Sequence, residues 1–222
     1  STRVRSSAAS DVYKRQEAYN LMKVAATLQI TAKGQPVIYY GEEIGQGGAN
    51  NWPHQTNRRD FDWTELEKQK ADSSSIYNHY KTMIAIRNAY TDVFARGSRT
   101  VVAGSDEECY DVVSRSYGGT TLYVGMNIKD TVKEVKVPVS LAAGTEVKDL
   151  YSGATYTVGS DKTVTVTIPA AKEGGTIVLT EQKNTVSDGK QNDSKPENNS
   201  STPETVNWNE VSSSVQDKVC LL

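Results

Sequence analysis

The sequence predicts an α/β segment followed by an all-β domain, built as an antiparallel β-sandwich. In residues 17–96, two stretches with apolar residues at helical spacing flank one short, unbroken apolar run. Residues 97–181 instead contain eight short stretches in which β-branched or aromatic residues alternate with polar ones, with Gly or charged turns between them. A chain of 222 residues accommodates one domain or two small ones.

Composition argues against several classes of protein. The 25 Lys and Arg residues are balanced by 27 Asp and Glu, so the net charge of −2 does not favour a nucleic-acid-binding surface. No run approaches 18 consecutive apolar residues, and we expect no membrane span. The two cysteines, Cys109 and Cys220, are too few for a disulfide framework or a metal cluster, and we expect Cys109 to be a buried thiol.

The two ends of the chain lack the pattern of a folded domain. Residues 1–16 have neither apolar periodicity nor the apolar core of a signal peptide. They contain SSAASDVYKRQ, which resembles a translated sequencing-adapter scar, so we interpret them as a non-native leader; a disordered native terminus is the alternative. Residues 182–206 have the Ser, Asn and Pro content of a linker, and 207–222 stay unassigned, with a last few residues that also look non-native.

The elements of the α/β segment follow from local patterns. We expect an amphipathic helix over residues 17–33, followed by Gly34 as its C-cap glycine. Its apolar residues recur at helical spacing: Leu21, Ala25, Leu28 and Ala32. Residues 36–41, PVIYYG, are typical of a strand buried on both faces of a parallel sheet. Such a strand needs parallel neighbours, so this segment is expected to belong to a larger α/β domain.

The remaining elements are a loop, a second helix and the strands. The loop over residues 42–75 contains one short helix, because Thr64 and Glu67 match a capping box. A long helix follows, with one apolar face marked by Ile76, Tyr80, Met83, Ile84, Arg87 and Tyr90. The predicted strands are 101–102, 110–116, 121–127, 132–139, 146–151, 155–158, 163–168 and 176–180.

Three motifs resemble glycoside hydrolase family 13, the α-amylase family. Residues 34–45, GQPVIYYGEEIG, resemble the last barrel strand of that family. Residues 57–63, NRRDFDW, resemble its R-x-P-M-x-W loop. Arg58 and Trp63 match the Arg and the Trp of this motif, whereas Asp60 and Phe61 stand in place of its Pro and Met. Residues 79–97 resemble the final barrel helix and its exit into the next domain. The resemblance covers residues 17–181 and is greatest to secreted bacterial α-amylases and amylopullulanases.

The resemblance implies an architecture and a chemistry. Residues 17–96 would be the C-terminal part of a (β/α)8 TIM barrel, and 97–181 the β-sandwich that follows it. Family members are retaining glycosidases that use two carboxyl groups across the glycosidic bond. These groups, and a third in an Asn-His-Asp motif, follow barrel strands that would precede residue 17, and no Asn-His-Asp triplet occurs in the chain.

The resemblance implies that the chain is part of a retaining α-glucan hydrolase of the α-amylase or pullulanase type. We expect this part to be inactive alone, because it contains none of the catalytic residues. The alternative is a non-catalytic glucan-binding or accessory protein of the same fold. The expected partner is an α-glucan polysaccharide or oligosaccharide, with no nucleic acid. The linker is typical of modular bacterial enzymes that act outside the cell or at its surface, so we expect further modules beyond it.

The candidate substrate-binding residues are Arg58, Trp52 and His54. The guanidinium of Arg58 can donate to sugar hydroxyls, or it can form a structural ion pair. The indole of Trp52 can stack on a pyranose ring and His54 can bond a hydroxyl, although each can equally anchor its loop. We expect Trp63 to be buried.

Other polar residues are expected to be structural. His79 should be a packing or surface residue of its helix, Glu42 and Glu43 should anchor a turn, and Asp60 and Asp62 should cap the loop or face solvent. No cofactor or metal site is visible, because there is no His-x-x-x-His, no Cys cluster and no calcium loop. Members of the family often bind calcium, through segments outside these residues.

Overall fold

A computed structural model describes residues 2–47 and 58–181, and the side chains of 16–47 and 58–180. These residues belong to one compact unit, Ser1–Lys183, while a second unit, Asn184–Leu222, lies outside the described residues. The helices are α1 (Thr2–Thr31), α2 (Trp63–Ala71), α3 (Ile76–Ala89) and α4 (Thr91–Arg96), with 3-10 turns at Glu42–Ile44 and Ala171–Glu173. The strands are β1 (Ser98–Ser105), β2 (Tyr110–Tyr117), β3 (Thr120–Asn127), β4 (Lys133–Pro138), β5 (Glu146–Asp149), β6 (Thr155–Thr157), β7 (Thr163–Ile168) and β8 (Thr176–Glu181).

All eight predicted strands are confirmed, and every pairing between them is antiparallel. Six strands form one sheet in the order β1-β2-β3-β8-β5-β6, and β4 pairs with β7 in a second sheet. In β4 and β7, buried and exposed residues alternate, as expected for strands with one face on a core. The two sheets share that core, which contains Val112, Tyr123, Val135, Val137, Val147, Val164, Val166, Ile168, Ile177 and Leu179.

The other face of the six-stranded sheet packs against the helices. Their common core contains Ala26, Ile30, Ile76, Tyr80, Met83, Ile86, Val93, Phe94, Val113, Leu122, Val124 and Val178. The predicted second helix is confirmed as α3, which begins after Ser75, whose hydroxyl accepts a hydrogen bond from the backbone N–H of Asn78. The helices are therefore joined to the sheet by a continuous apolar layer. Within the described residues, no helix combines the length and apolarity needed to cross a bilayer.

Helix α1 differs from its prediction in length and in the face it buries. It begins at Thr2 rather than near residue 17, and no Gly or Pro interrupts the sequence that precedes residue 17. The predicted apolar stripe faces solvent, with Leu21 41% and Leu28 52% exposed. The buried face contains instead Asn20, Lys23, Val24, Thr27, Ile30 and Thr31. This face packs inward because Ala26 and Ile30 join the core shared with the sheet, and because Thr27 contacts His79 on α3 and Thr176 on β8.

The predicted strand over residues 36–41 is wrong. Residues 35–39 have no regular secondary structure, and Val37 and Tyr39 are 78% and 57% exposed. A strand exists only when its backbone groups pair with a neighbour. No parallel strand lies beside this segment in the part of the chain that the structure describes.

The expectation that Cys109 is buried is also wrong. This free cysteine is partly exposed and lies just before β2, with a positive φ of 57°. Its thiol donates to the backbone oxygen of Asp106, at 3.3 Å. The turn that joins β1 and β2 keeps the residue near the surface. Cys220 lies outside the described residues.

A chain of buried polar groups links the helices to the β domain. The imidazole of His79 on α3 is 2% exposed. Its Nδ1 lies 2.6 Å from the hydroxyl of Tyr151, and its Nε2 lies 2.9 Å from the hydroxyl of Thr27 on α1. That hydroxyl lies 2.7 Å from the hydroxyl of Thr176 on β8, which donates to the backbone oxygen of Gly174 at 2.8 Å. His79 is therefore a packing residue, one of the two alternatives expected.

Candidate functional site

The site begins at the turn that follows the exposed apolar segment. Gly41 has a φ of 89°, a conformation that favours glycine. Its backbone N–H donates to Oε2 of Glu43 at 2.8 Å, and the backbone N–H of Tyr39 donates to Oε2 of Glu42 at 3.1 Å. Both carboxylates are thus used to hold the turn. The expectation that Glu42 and Glu43 are structural anchors is confirmed.

Two side chains fix the loop over residues 58–62 beside this turn. The amide of Gln46 donates to the backbone oxygen of Asp60 at 2.9 Å and accepts from the backbone N–H of Asp62 at 3.0 Å. The hydroxyl of Tyr40 donates to the backbone oxygen of Arg59 at 3.1 Å. Because these bonds reach three successive parts of the loop, its backbone is held against the turn.

The start of α2 gives the loop a further attachment. Asp62 is the N-cap, and its Oδ1 accepts from the backbone N–H of Glu65 at 2.9 Å. The predicted short helix is therefore confirmed, but its cap lies two residues before Thr64. The Asp62–Glu65 pair has the same i, i+3 spacing as a capping box, so the correct cap was also visible in the sequence.

A cleft of about 580 Å³ lies between α1, the turn and this loop. Its lining combines a partly apolar wall with charged groups of both signs. The residues are Ala18, Tyr19, Met22, Ile44, Gly45, Gln46, Gly47, Arg59, Asp62 and Glu65. A concave surface with apolar and hydrogen-bonding groups of both kinds suits a neutral, hydroxyl-rich ligand.

The sequence predicted only part of this arrangement. Arg58 is exposed in the loop, but the lining of the cleft includes Arg59 rather than Arg58. Trp52 and His54 lie outside the described residues. Gln46 and Asp62 were missed as site residues, because nothing local shows that residues 16 apart meet.

The prediction that Trp63 is buried is wrong. Its side chain is 70% exposed, at the first residue of α2. The ring lies against Phe61 with a centroid distance of 4.7 Å and an interplanar angle of 61°, an edge-to-face contact. Asp62, the N-cap of α2, is itself exposed, and its position between the two rings leaves Trp63 exposed and Phe61 half-buried.

The described residues offer no resident metal site. No group of three or more His, Cys, Asp or Glu side chains among them is arranged to hold an ion. Several of their carboxylates accept from backbone N–H groups, and others pair with Lys or Arg side chains. Calcium, which the family resemblance suggests for longer proteins, therefore has no fitting ligand set in this part of the chain.

The chain is similar to enzymes that act on glucans. It is 30% identical over 148 residues to a cyclomaltodextrinase of Geobacillus thermopakistaniensis, covering 67% of this chain and 24% of that protein. It is 31% identical over 159 residues to an amylopullulanase of Thermoanaerobacter thermohydrosulfuricus, covering 64% of this chain and 10% of that protein. The chain thus spans a quarter or less of the length of these relatives. No family model matches it.

The chain is also similar in fold to solved structures of α-amylases. An α-amylase from H. orenii superimposes with a TM-score of 0.57 at 27% identity, over 73% of this chain and 36% of that one. The chain belongs to the α-amylase family. An α-amylase of this family from Geobacillus thermoleovorans, complexed with acarbose, shares the fold at 22% identity, with a TM-score of 0.60 over 75% of this chain and 34% of that one.

Membership of the α-amylase family gives the site its context. The turn at Gly41–Gly45 and the loop at residues 58–63 belong to two of the three motifs that resemble the family. The structure brings these motifs together through Gln46 and Tyr40. The family motifs are therefore adjacent parts of one surface rather than separate signals.

Proposed function

We propose that this chain is part of a retaining α-glucan hydrolase, and that its described residues supply the rim of a substrate cleft rather than the catalytic carboxylates. The observation that carries the proposal is the similarity to a cyclomaltodextrinase and to amylopullulanases over about two thirds of the chain. The substrate would be a starch-like polysaccharide or oligosaccharide.

The carboxylates near the cleft support a rim role. A retaining glycosidase needs two carboxyl groups roughly 5 Å apart across the bond, one of them free to give and take a proton. Here Glu42 and Glu43 are bonded to backbone N–H groups of their own turn, and Asp62 caps a helix. Glu65 accepts from the side-chain amide of Gln69 at 3.0 Å. Each of these four groups thus has a structural partner.

We also propose that residues 17–96 are part of a (β/α)8 barrel. In support, the stripe of Leu21, Ala25 and Leu28 on α1 and the residues Val37 and Tyr39 are exposed, although such residues are usually covered. They lie where the sequence pattern predicts a buried helix face and a buried strand. Neighbouring strands and helices of a barrel would cover both.

The location that we propose rests on the composition of one segment. We place it outside the bacterial cell or at its surface, with further modules after the linker of residues 182–206, because that segment resembles the linkers of modular extracellular enzymes. Detection of the protein in the cell-free medium of its source bacterium would support this location, and confinement to the cytoplasm would contradict it.

The test of function is hydrolysis by the protein encoded by the complete reading frame. We expect it to release reducing sugars from starch or pullulan, whereas the purified 222-residue chain should release none. A complete protein that binds these glucans without cleaving them would favour the non-catalytic alternative. A complete protein that neither binds nor cleaves them would contradict both.

A further inference from the structure

The side-chain amide of Gln46 holds one short loop with both of its polar ends. Its nitrogen donates to the backbone oxygen of Asp60 at 2.9 Å, and its oxygen accepts from the backbone N–H of Asp62 at 3.0 Å. A neighbouring β-strand pairs with a backbone through the same two kinds of group. The amide therefore takes the place of a partner strand for this stretch of the loop.

The position of Gln46 is itself fixed by the turn before it. Its backbone N–H donates to the backbone oxygen of Gly41 at 2.8 Å. Gly45, which precedes it, has a φ of 64°, and a Cβ at this residue would lie 2.9 Å from side-chain atoms of Tyr19 and Ile76. Because the turn is closely packed at this point, the amide of Gln46 transmits the position of the turn to the loop.

The loop that the amide holds carries charged groups to the cleft of about 580 Å³. Arg59 and Asp62 both line this cleft. Arg59 directly precedes Asp60, whose backbone oxygen is bound by Gln46, and Asp62 is bound through its own backbone N–H. Glu65, a further charged residue of the lining, follows on α2, whose N-cap is Asp62. The relative positions of these charged side chains therefore depend on the backbone that Gln46 holds.

We propose that Gln46 is a positioning residue for substrate binding, which holds the loop so that Arg59 and Asp62 face a bound α-glucan. This inference rests on the proposed function for the class of the substrate. A loop that is fixed before the substrate arrives does not have to be ordered on binding, so the entropic cost of association is lower. Gln46 acts on binding and not on bond cleavage, since the carboxylates described near the cleft already have structural partners.

The first experiment compares the kinetics of variants in the protein encoded by the complete reading frame, with maltoheptaose as the substrate. Gln46→Met keeps the length of the side chain and removes both of its hydrogen-bonding groups. It should raise KM about fivefold, while kcat stays within about twofold of that of the unmodified protein. An unchanged KM, or a loss confined to kcat, would overturn the inference.

The matched control is Asn78→Leu, because Asn78 is another half-buried amide that holds a loop. Its nitrogen donates to the backbone oxygens of Gln69, Lys70 and Asp72, at 3.0, 3.3 and 2.8 Å, and its side chain does not line the cleft. This variant should be less stable in a urea titration, but its KM should stay within about twofold of that of the unmodified protein. A rise in KM equal to that of Gln46→Met would contradict the inference, because it would show a general effect of weakened packing.

A second variant gives the test a dependence on pH. In Gln46→Glu the ionised carboxylate still accepts from the N–H of Asp62, but it has no proton to donate to the oxygen of Asp60, whereas a protonated carboxyl group has one. The ratio of its KM to that of the unmodified protein should therefore be raised at pH 7 and should fall as the pH approaches the range in which a carboxyl group titrates. A ratio that does not depend on pH would count against the positioning role.

The failure of this inference and the failure of the proposed function give different results. Hydrolysis by the complete protein, with an unchanged KM in Gln46→Met, would overturn the role of Gln46 and leave the proposed function standing. A complete protein that hydrolyses no α-glucan would overturn both.

Discussion

The Nδ1 atom of His79 lies 2.6 Å from the hydroxyl oxygen of Tyr151, and this contact joins α3 to the turn that follows β5. The donor and acceptor of each hydrogen bond in this series follow from its other end, at Thr176. Thr176 donates its proton to the backbone oxygen of Gly174, and the proton of Thr27 goes to Thr176 at 2.7 Å or to the backbone oxygen of Lys23 at 3.2 Å. Thr27 must then accept from Nε2–H of His79, and Nδ1 accepts from Tyr151.

The first prediction concerns this tautomer. His79 should be neutral at pH 7 with its proton on Nε2. A two-bond ¹H–¹⁵N correlation spectrum should show Nε2 as a protonated, pyrrole-type nitrogen and Nδ1 as an unprotonated, pyridine-type nitrogen. The opposite pattern would mean that the hydrogen bonds run from Thr176 towards Tyr151.

The second prediction is that His79 makes the stability of the fold sensitive to acid. Burial, with the charge of nearby Lys23 as a smaller cause, lowers the pKa of His79 from 6.5 to about 4. The unfolded chain therefore binds a proton at a pH where the folded chain does not. The neutral, buried His79 therefore contributes about 3 kcal/mol to the free energy of unfolding. This contribution is fully present above pH 6.5 and is lost as the pH falls to about 4.

Urea titrations at several pH values between 7 and 4 measure this loss. His79→Gln should be less stable at pH 7 and should lose less stability on acidification than the unmodified chain. The other histidine of the chain supplies the control, since His54→Gln should keep the full acid dependence. Equal pH dependence in the unmodified chain and His79→Gln would contradict the assignment. Of the other titratable groups near the imidazole, Tyr151 has its pKa raised by burial to about 12, far above this range, whereas burial lowers the pKa of Lys23 from its usual value.

The third prediction tests the tyrosine. Burial raises the pKa of Tyr151 to about 12, with a smaller contribution from Asp149, so its hydroxyl stays protonated and can donate to His79. Tyr151→Phe leaves Nδ1 without its donor and should lower the free energy of unfolding by about 1–2 kcal/mol. Tyr117→Phe, at an exposed site, should change it by less than about 0.5 kcal/mol. Similar effects in the two variants would show that the Tyr151 contact does not stabilise the junction.

The fourth prediction concerns the end of α1. The guanidinium of Arg87 on α3 is 8% exposed and donates to the backbone oxygens of Ile30 and Gly34, and to that of Ala32 at 3.1 Å. A cation at a helix C-terminus satisfies carbonyl groups that the helix leaves unpaired. Arg87→Met should therefore lower the free energy of unfolding by about 2–4 kcal/mol.

Arg96 provides the matched control for Arg87. It is an exposed arginine on α4 that pairs with Asp92 at 3.5 Å. Arg96→Met should cost less than about 1 kcal/mol in the same denaturation experiment. If Arg87→Met were as mild as Arg96→Met, the carbonyl groups at the end of α1 would have to be satisfied in another way.

The sequence was informative wherever structure is decided locally. The eight strands were predicted because alternation and turn residues report directly on a half-buried strand. Helix α3 was predicted because its apolar face is continuous over several turns. The family motifs at residues 34–45 and 57–63 were informative for the same reason, as each is a short run of adjacent residues.

The errors share one physical cause, which is dependence on distant neighbours. Apolar periodicity gave the helical state of α1 but not which face it buries, because Thr27 is turned inward by His79 and Thr176. The run at residues 36–41 has the composition of a strand but no pairing partner among the described residues. Trp63 was expected to be buried, yet it is exposed at the first residue of α2, and the local sequence does not show which elements pack against that position.

The central claim is that this chain binds α-glucans through the rim of a cleft and lacks the groups that cleave them. Incubation of the purified 222-residue chain with maltoheptaose, followed by calorimetry and by chromatography of the sugar, tests both halves together. The account predicts saturable binding and maltoheptaose recovered intact. Release of shorter maltosaccharides, or an absence of binding, would contradict it.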